Sequence, residues 1–190
     1  GAPARMPWAA MALVLAALAA ALALYSRVGV PWYPDLPIRE RLAMADAAMA
    51  ARPSQADAEA AAEPPPPAQP DAEFLALMEK LRAAVDPATA TDLRGLDLLA
   101  RNEATLGNFI AAKAAQARLV EVKGEEATAE DYATLAEMMI LAAGGYISPE
   151  AEQALIAALE RDPRDGMARY FSGLMFAQGG RFDRAFAFWR

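Results

Sequence analysis

The chain has 190 residues, enough for one modest domain together with a membrane anchor and a linker. It contains no cysteine and no histidine, which excludes disulfides and thiolate metal sites and removes the commonest metal ligand and general base. A formal net charge of −7 argues against a nucleic-acid partner, because phosphate binding requires clustered Lys and Arg. We therefore expect a protein that is not an enzyme, holds no metal and binds no nucleic acid.

An uncharged run from Met6 to Ser26 lies between Arg5 and Arg27. Its length suits a membrane crossing, and the aromatic rings of Trp8 and Tyr25 suit the two headgroup layers. The sequence predicts a transmembrane helix within residues 1–27, so the protein would be integral to the membrane. A cleaved signal peptide is the alternative interpretation.

Small residues spaced four apart on one face of this helix would let a partner helix approach closely. This predicted membrane partner-helix face consists of Ala12, Ala16 and Ala20. Composition bias explains the spacing about as well, and the flanking charges do not decide the orientation. Because the chain starts at Gly1 and stops at Arg190 within a helical pattern, we expect it to be a piece of a longer protein.

Residues 28–51 are predicted to form a proline-rich collar followed by a short amphipathic helix from Ile38 to Met49. Residues 52–70 carry six prolines among Ala, Glu, Asp and Gln, and no large apolar residue. Such a stretch cannot bury enough surface to offset its ordering entropy, so the sequence predicts a disordered, mobile linker there.

Residues 71–190 are predicted to form helix pairs. Asp71 suits the N-cap of a first helix that Asp86-Pro87 ends. The last pair has the small and aromatic pattern of a 34-residue tetratricopeptide repeat, with residues Gly173, Phe176, Gly180, Ala185 and Trp189.

Two earlier copies of the pattern are less regular. One starts near Met139 and turns at Gly144-Gly145, and the other turns at Gly107. The predicted fold is therefore all-α, with one transmembrane helix, a flexible Pro/Ala-rich linker and a right-handed α-solenoid that is truncated at its C-terminal end. An ordinary helical bundle with alanine-rich contacts is the alternative.

The first helices of such repeats line a concave surface. The helical positions that face away from the small packing residue of each unit predict a groove that is charged at one end and apolar at the other. This pattern favours an amphipathic helix or a short peptide as the ligand, and solvated helix surface is the alternative. The predicted groove residues are Arg94, Asp97, Arg101, Ala136, Ile140, Met167, Tyr170 and Leu174.

The segment from Leu24 to Arg39, with its Leu-Tyr, Gly-x-Pro, Pro-Asp-x-Pro and Arg series, resembles the cytochrome c maturation factor family CcmI, also called CycH. In that family the series follows the second membrane span and leads through a Pro- and Ala-rich tether to tetratricopeptide repeats. The segments from Ala142 to Ala151 and from Gly173 to Trp189 resemble the repeats of the family.

The resemblance implies a bacterial inner-membrane protein whose repeat domain faces the periplasm. It would be a chaperone that binds apocytochrome c and delivers it to CcmF- and CcmH-like membrane subunits for covalent haem attachment. A chain without Cys or His suits a carrier better than a ligase, so we expect no directly bound cofactor, with haem handled by the partner subunits.

Two other functions stay open from the residues alone. One is a membrane-tethered repeat scaffold that assembles an envelope or secretion complex. The other is a membrane enzyme that uses paired carboxylates, although adjacent residues on a helix point apart. The candidate carboxylates for such chemistry are Glu125, Glu126, Glu150 and Glu152.

Overall fold

The computed structural model describes residues 8–29, 36–66 and 68–190. Most of the predicted collar and the first seven residues lie outside this part. The chain divides into two compact units, Gly1–Arg41 and Leu42–Arg190. Within the described residues every regular element is helical, which confirms the predicted all-α fold. The helices are α1 Trp8–Val28, α2 Ile38–Ala50, α3 Gln55–Ala61, α4 Ala72–Ala84, α5 Leu93–Thr105, α6 Phe109–Lys123, a 3₁₀ turn Gly124–Glu126, α7 Ala129–Ala142, α8 Pro149–Arg161, α9 Gly166–Gln178 and α10 Phe182–Trp189.

The first unit contains α1, a helix of 21 residues whose side chains are all exposed. It carries one basic residue in its last turn, Arg27, and no acidic residue in its first turn. By length and composition α1 is able to cross a membrane, and a signal sequence near an N-terminus would have the same properties.

In the second unit, α5 and α6, α7 and α8, and α9 and α10 pack as three successive helical hairpins. We call them the first, second and third hairpins. The side chains of Asp92, Thr128 and Asp165 each accept a backbone hydrogen bond at the N-terminus of the first helix of a hairpin. Asp71 caps α4 in the same way, as predicted, and α4 packs on α5.

The turns inside the three hairpins share one hydrogen-bond pattern. The N–H groups of Gly107, Gly144 and Gly180, all at positive φ, donate to the carbonyl three residues before them, and each following N–H reaches back five residues. This is the Schellman C-cap, which favours glycine because of its left-handed backbone. The turn glycines are 37 and 36 positions apart, and the second of these spacings exceeds the 34 residues predicted between the last two units.

The core of the hairpins is built from small residues. Ala112, Ala151 and Ala168 are completely buried where neighbouring helices meet, so the helices approach closely. Larger side chains fill two clusters, one around Met78 and Leu96 and one around Ile140, Ile147 and Leu155.

Residues 52–66 differ from the expectation of a mobile linker over residues 52–70, because they are packed against the hairpins together with residues 42–51. We call residues 42–66 the strap; it contains the C-terminal part of α2 and all of α3. Ser54 caps α3, and the strap side chains Gln55 and Ala58 are only 6% and 7% exposed. Composition predicted disorder for residues 52–70 because they include no large apolar residue. The order of the strap comes instead from polar contacts and small-residue packing against the hairpins.

Candidate peptide-binding groove

A cavity of about 570 Å³ lies between α5 and α7, the first helices of two successive hairpins. One wall carries Arg94, Asp97 and Arg101 of α5, and the opposite wall carries Glu130 and Thr134 of α7. The remaining lining residues are Leu93, Ala100, Gln116, Leu119, Lys123, Thr128, Asp131 and Met138. The volume falls in the range typical of ligand sites, and charges surround an apolar base.

The α7 wall is held in place by hydrogen bonds around Asp131. Lys123 Nζ donates to both carboxylate oxygens at 2.8 Å, and the N–H and hydroxyl of Thr128 donate to Oδ2. Burial would raise the pKa of Asp131, but the hydrogen bonds from Lys123 and Thr128 outweigh it and hold the pKa below its ordinary value. The buried Gln116 side chain donates to the Asp131 carbonyl at 2.9 Å, which ties α6 to this wall.

The structure brings together the three predicted groove residues of α5. Arg94, Asp97 and Arg101 all line this cavity, and Arg101 Nε donates to Asp97 Oδ1 at 2.8 Å. An exposed pair of this kind is worth only a few tenths of a kcal/mol. The Arg101 guanidinium can therefore exchange Asp97 for an acidic ligand side chain at little cost.

Of the predicted groove residues on α9, two line a different cavity. Tyr170 and Leu174 border a space of about 600 Å³ beside Phe188 and Trp189. Trp189 Nε1 donates to the Tyr170 carbonyl at 3.1 Å, and the Tyr170 side chain remains 55% exposed. Met167 is 37% exposed on the same helix. The predicted single groove thus consists of a charged cavity and a separate apolar one.

Ala136 and Ile140 do not lie in either cavity. They are 0% and 2% exposed and belong to the core between the second and third hairpins. The prediction placed them by a 34-residue repeat length, whereas the first helices start 36 and 37 residues apart. At the spacing of 37 residues between α7 and α9, Ala136 aligns with the buried Gly173 and not with Tyr170, and Ile140 follows one turn later, so both side chains lie in the core.

The N-caps give the correct register for α7. Arg94 and Met167 are the second residues after their caps, and in α7 the second residue is Glu130, which lines the charged cavity. Sequence reasoning missed Glu130, Thr134 and Lys123 as groove residues. The capping signal of Thr128 with Asp131 three residues later was the pattern that could have found Glu130 and Thr134.

The remaining predicted residues lie elsewhere. Ala12, Ala16 and Ala20 are exposed on one side of α1 in the first unit, so that face is accessible to another helix. Among the carboxylates considered for acid–base chemistry, Glu150 accepts a hydrogen bond from the Gln55 N–H and Glu152 pairs with Arg52. These two carboxylates therefore bind the strap.

A cytochrome c-type biogenesis protein named CycH, from Bradyrhizobium diazoefficiens, is 36% identical to this chain over 100 residues. The alignment covers 53% of this chain and 27% of that protein. The matched part thus spans about a quarter of the length of the curated relative. No protein-family model matches the chain, and no solved structure matches it.

Proposed function

We propose that this chain takes part in cytochrome c maturation as a chaperone subunit that binds a segment of apocytochrome c and presents it for covalent haem attachment. The observation that carries this proposal is the 36% identity with CycH over 100 residues. The collar series from Leu24 to Arg39 supports the same family.

The two cavities suit a helical client segment. Arg94 and Arg101 can pair with acidic side chains of the client, while Tyr170 and Leu174 offer apolar surface for its anchor residues. Buried apolar anchors supply most of the affinity of such interfaces, and the charges orient the ligand. The site therefore favours an amphipathic helix with a charged end and an apolar face.

The chemistry of the chain suits a carrier. Haem attachment needs thiols on the substrate and haem ligands on the enzyme, and this sequence has neither Cys nor His. We therefore assign haem handling to CcmF- and CcmH-like membrane subunits. In this proposal α1 crosses the bacterial inner membrane, its alanine face contacts partner helices, and the hairpins face the periplasm.

A binding experiment on the full chain in detergent tests the client assignment. A fluorescently labelled synthetic peptide with the sequence of a cytochrome c C-terminal helix is titrated with the protein, and anisotropy is recorded. Tyr170→Ala combined with Leu174→Ala should weaken binding at least about fivefold, because removal of an apolar anchor costs ~1 kcal/mol or more.

Ile156→Ala is the matched control, since Ile156 is an exposed apolar residue of α8 outside both cavities. Its affinity should equal that of the unsubstituted protein. Unchanged affinity in the Tyr170 and Leu174 double variant would refute the assignment of the apolar cavity. Equal binding of cytochrome c helices and scrambled helices of the same composition would favour the scaffold function instead.

A further inference from the structure

We propose that the strap, residues 42–66, sets the curvature of the three hairpins by tying their inner turns together along one edge. The proposal depends on contacts within the second unit and goes beyond client binding. It assigns a mechanical role to a stretch that includes residues 52–66, whose composition predicted a mobile linker.

From its N-terminus to its C-terminus, the strap contacts the turn of the third hairpin, then that of the second and then that of the first. Ala45 and Met49 lie against Gly180 and Gly179 of the third hairpin. A Cβ placed on Gly144 of the second hairpin would lie 3.3 Å from the Ala62 Cβ. For Gly107 of the first hairpin, the same 3.3 Å separates such a Cβ from the Pro65 Cγ.

The middle of the strap is hydrogen-bonded to the second hairpin. The buried Ser148 hydroxyl donates to Gln55 Oε1 at 2.6 Å, and Gln55 Nε2 donates to the Met139 carbonyl at 2.8 Å. The Gln55 N–H donates to Glu150 Oε2 at 2.9 Å. A single strap residue thus contacts the end of α7 and the start of α8, on both sides of their turn.

Ion pairs extend these contacts to all three hairpins. Glu59 pairs with Lys113 of the first hairpin, Arg52 with Glu152 of the second, and Asp46 with Arg181 of the third. The Arg52, Glu59 and Lys113 side chains are 13%, 13% and 23% exposed, so water screens the pairs with the first and second hairpins only partly, whereas Asp46 is 57% exposed. Charge therefore holds the strap where apolar burial is small.

The position of the strap explains how it would affect the shape of the charged cavity. In stacked hairpins, the rotation between neighbours sets the curvature of the array and the width of its concave surface. The strap lies at the turns inside the hairpins, while the charged cavity lies near the opposite ends of the same helices, around Arg94 and Thr128. A restraint on the helix ends at the turns therefore limits how far apart the opposite helix ends, which line the charged cavity, can move.

Double electron–electron resonance on the full chain in detergent tests this inference. The chain has no cysteine, so Arg94→Cys and Met167→Cys introduce the sole spin-label sites, at equivalent exposed positions of α5 and α9. In this labelled background, Arg52→Ala, Gln55→Ala and Glu59→Ala remove these side-chain contacts of the strap with the first and second hairpins. The hairpin side chains and the Asp46–Arg181 pair stay intact. The label-to-label distance distribution should shift and broaden.

Glu63→Ala is the matched control, because Glu63 is an exposed glutamate near the end of the same strap. Its distance distribution should match that of the unsubstituted labelled protein. A triple variant whose distribution also superimposes on the unsubstituted one would overturn the inference. If the triple variant loses its helical circular dichroism, the double variant Arg52→Ala with Glu59→Ala replaces it. A shifted distance distribution then supports the inference, and an unchanged one overturns it.

Discussion

Arg82 of α4 and Glu103 of α5 form a bidentate ion pair, in which Arg82 Nε donates to Oε1 at 2.5 Å and Nη2 donates to Oε2 at 2.8 Å. The Glu103 side chain is 3% exposed, whereas the Arg82 side chain is 41% exposed. Asn108 donates a further hydrogen bond to Glu103 at 2.8 Å. The pair therefore joins α4 to the first hairpin through a carboxylate that has little access to water.

The two partners should differ in what their removal costs. Arg82→Ala leaves a buried carboxylate with Asn108 as its remaining side-chain donor, and we expect a loss of about 2–3 kcal/mol in the free energy of unfolding. Glu103→Gln should cost less, because the freed guanidinium can turn into water. Urea unfolding followed by circular dichroism measures the free energy of unfolding of both variants. Lys80→Ala, on the exposed surface of α4, is the control and should stay within about 0.5 kcal/mol of the unsubstituted protein.

The same pair predicts an acid-dependent loss of stability. The Arg82 guanidinium, aided by Asn108, holds the pKa of Glu103 below its ordinary value despite burial. A carboxyl with a lower pKa in the folded state stabilises the fold above its unfolded pKa, near 4.5, and this contribution disappears as the pH falls through the folded pKa. The stability difference between the unsubstituted protein and Glu103→Gln should therefore shrink below about pH 4. A difference that grows in acid would contradict this account.

The reciprocal hydrogen bonds between Thr128 and Asp131 should stabilise the N-terminus of α7, which forms one wall of the charged cavity. Thr128→Ala removes one half of the reciprocal cap and should lower the free energy of unfolding by ~1 kcal/mol. Thermal unfolding measures the effect. Glu130→Gln alters an exposed neighbouring carboxylate and is the control, with an expected change inside about 0.5 kcal/mol.

The close contact of Trp189 with Gly173 should not tolerate a methyl group. The indole ring occupies the space that a Cβ on residue 173 would need. Gly173→Ala should therefore displace the ring, cost about 1–3 kcal/mol and change the tryptophan fluorescence. Gly166→Ala, at the start of the same helix, meets open space and should be neutral or slightly stabilising. Equal stability of the two variants would argue against the packing of α10 on α9.

The register of α7 can be tested by enlarging two of its side chains. Ala136→Leu places extra volume in a filled core and should cost about 1–3 kcal/mol or more in stability. Thr134→Leu adds the volume at the edge of the charged cavity and should change peptide affinity with little effect on stability. Urea unfolding and peptide titration separate the two effects. The reverse result would restore the groove assignment of Ala136.

The sequence by itself determined the elements that depend on local chemistry. Helix periodicity and capping residues such as Asp71 set where helices begin, and the turn glycines Gly107, Gly144 and Gly180 end the first helix of each hairpin. These signals act within one or two turns of backbone, so they are readable without the fold. The all-α class and the charged α5 residues followed from them.

The tertiary structure alone decided the register of α7 and the path of the strap. Ala136 corresponds to the buried Gly173 at the observed spacing of 37 residues, whereas an assumed repeat of 34 aligned it with the exposed Tyr170. The strap is ordered because Gln55 meets Ser148, 93 positions away in the chain. A polar, alanine-rich stretch has no local pattern that specifies such a partner, since the partner exists only after the hairpins have stacked.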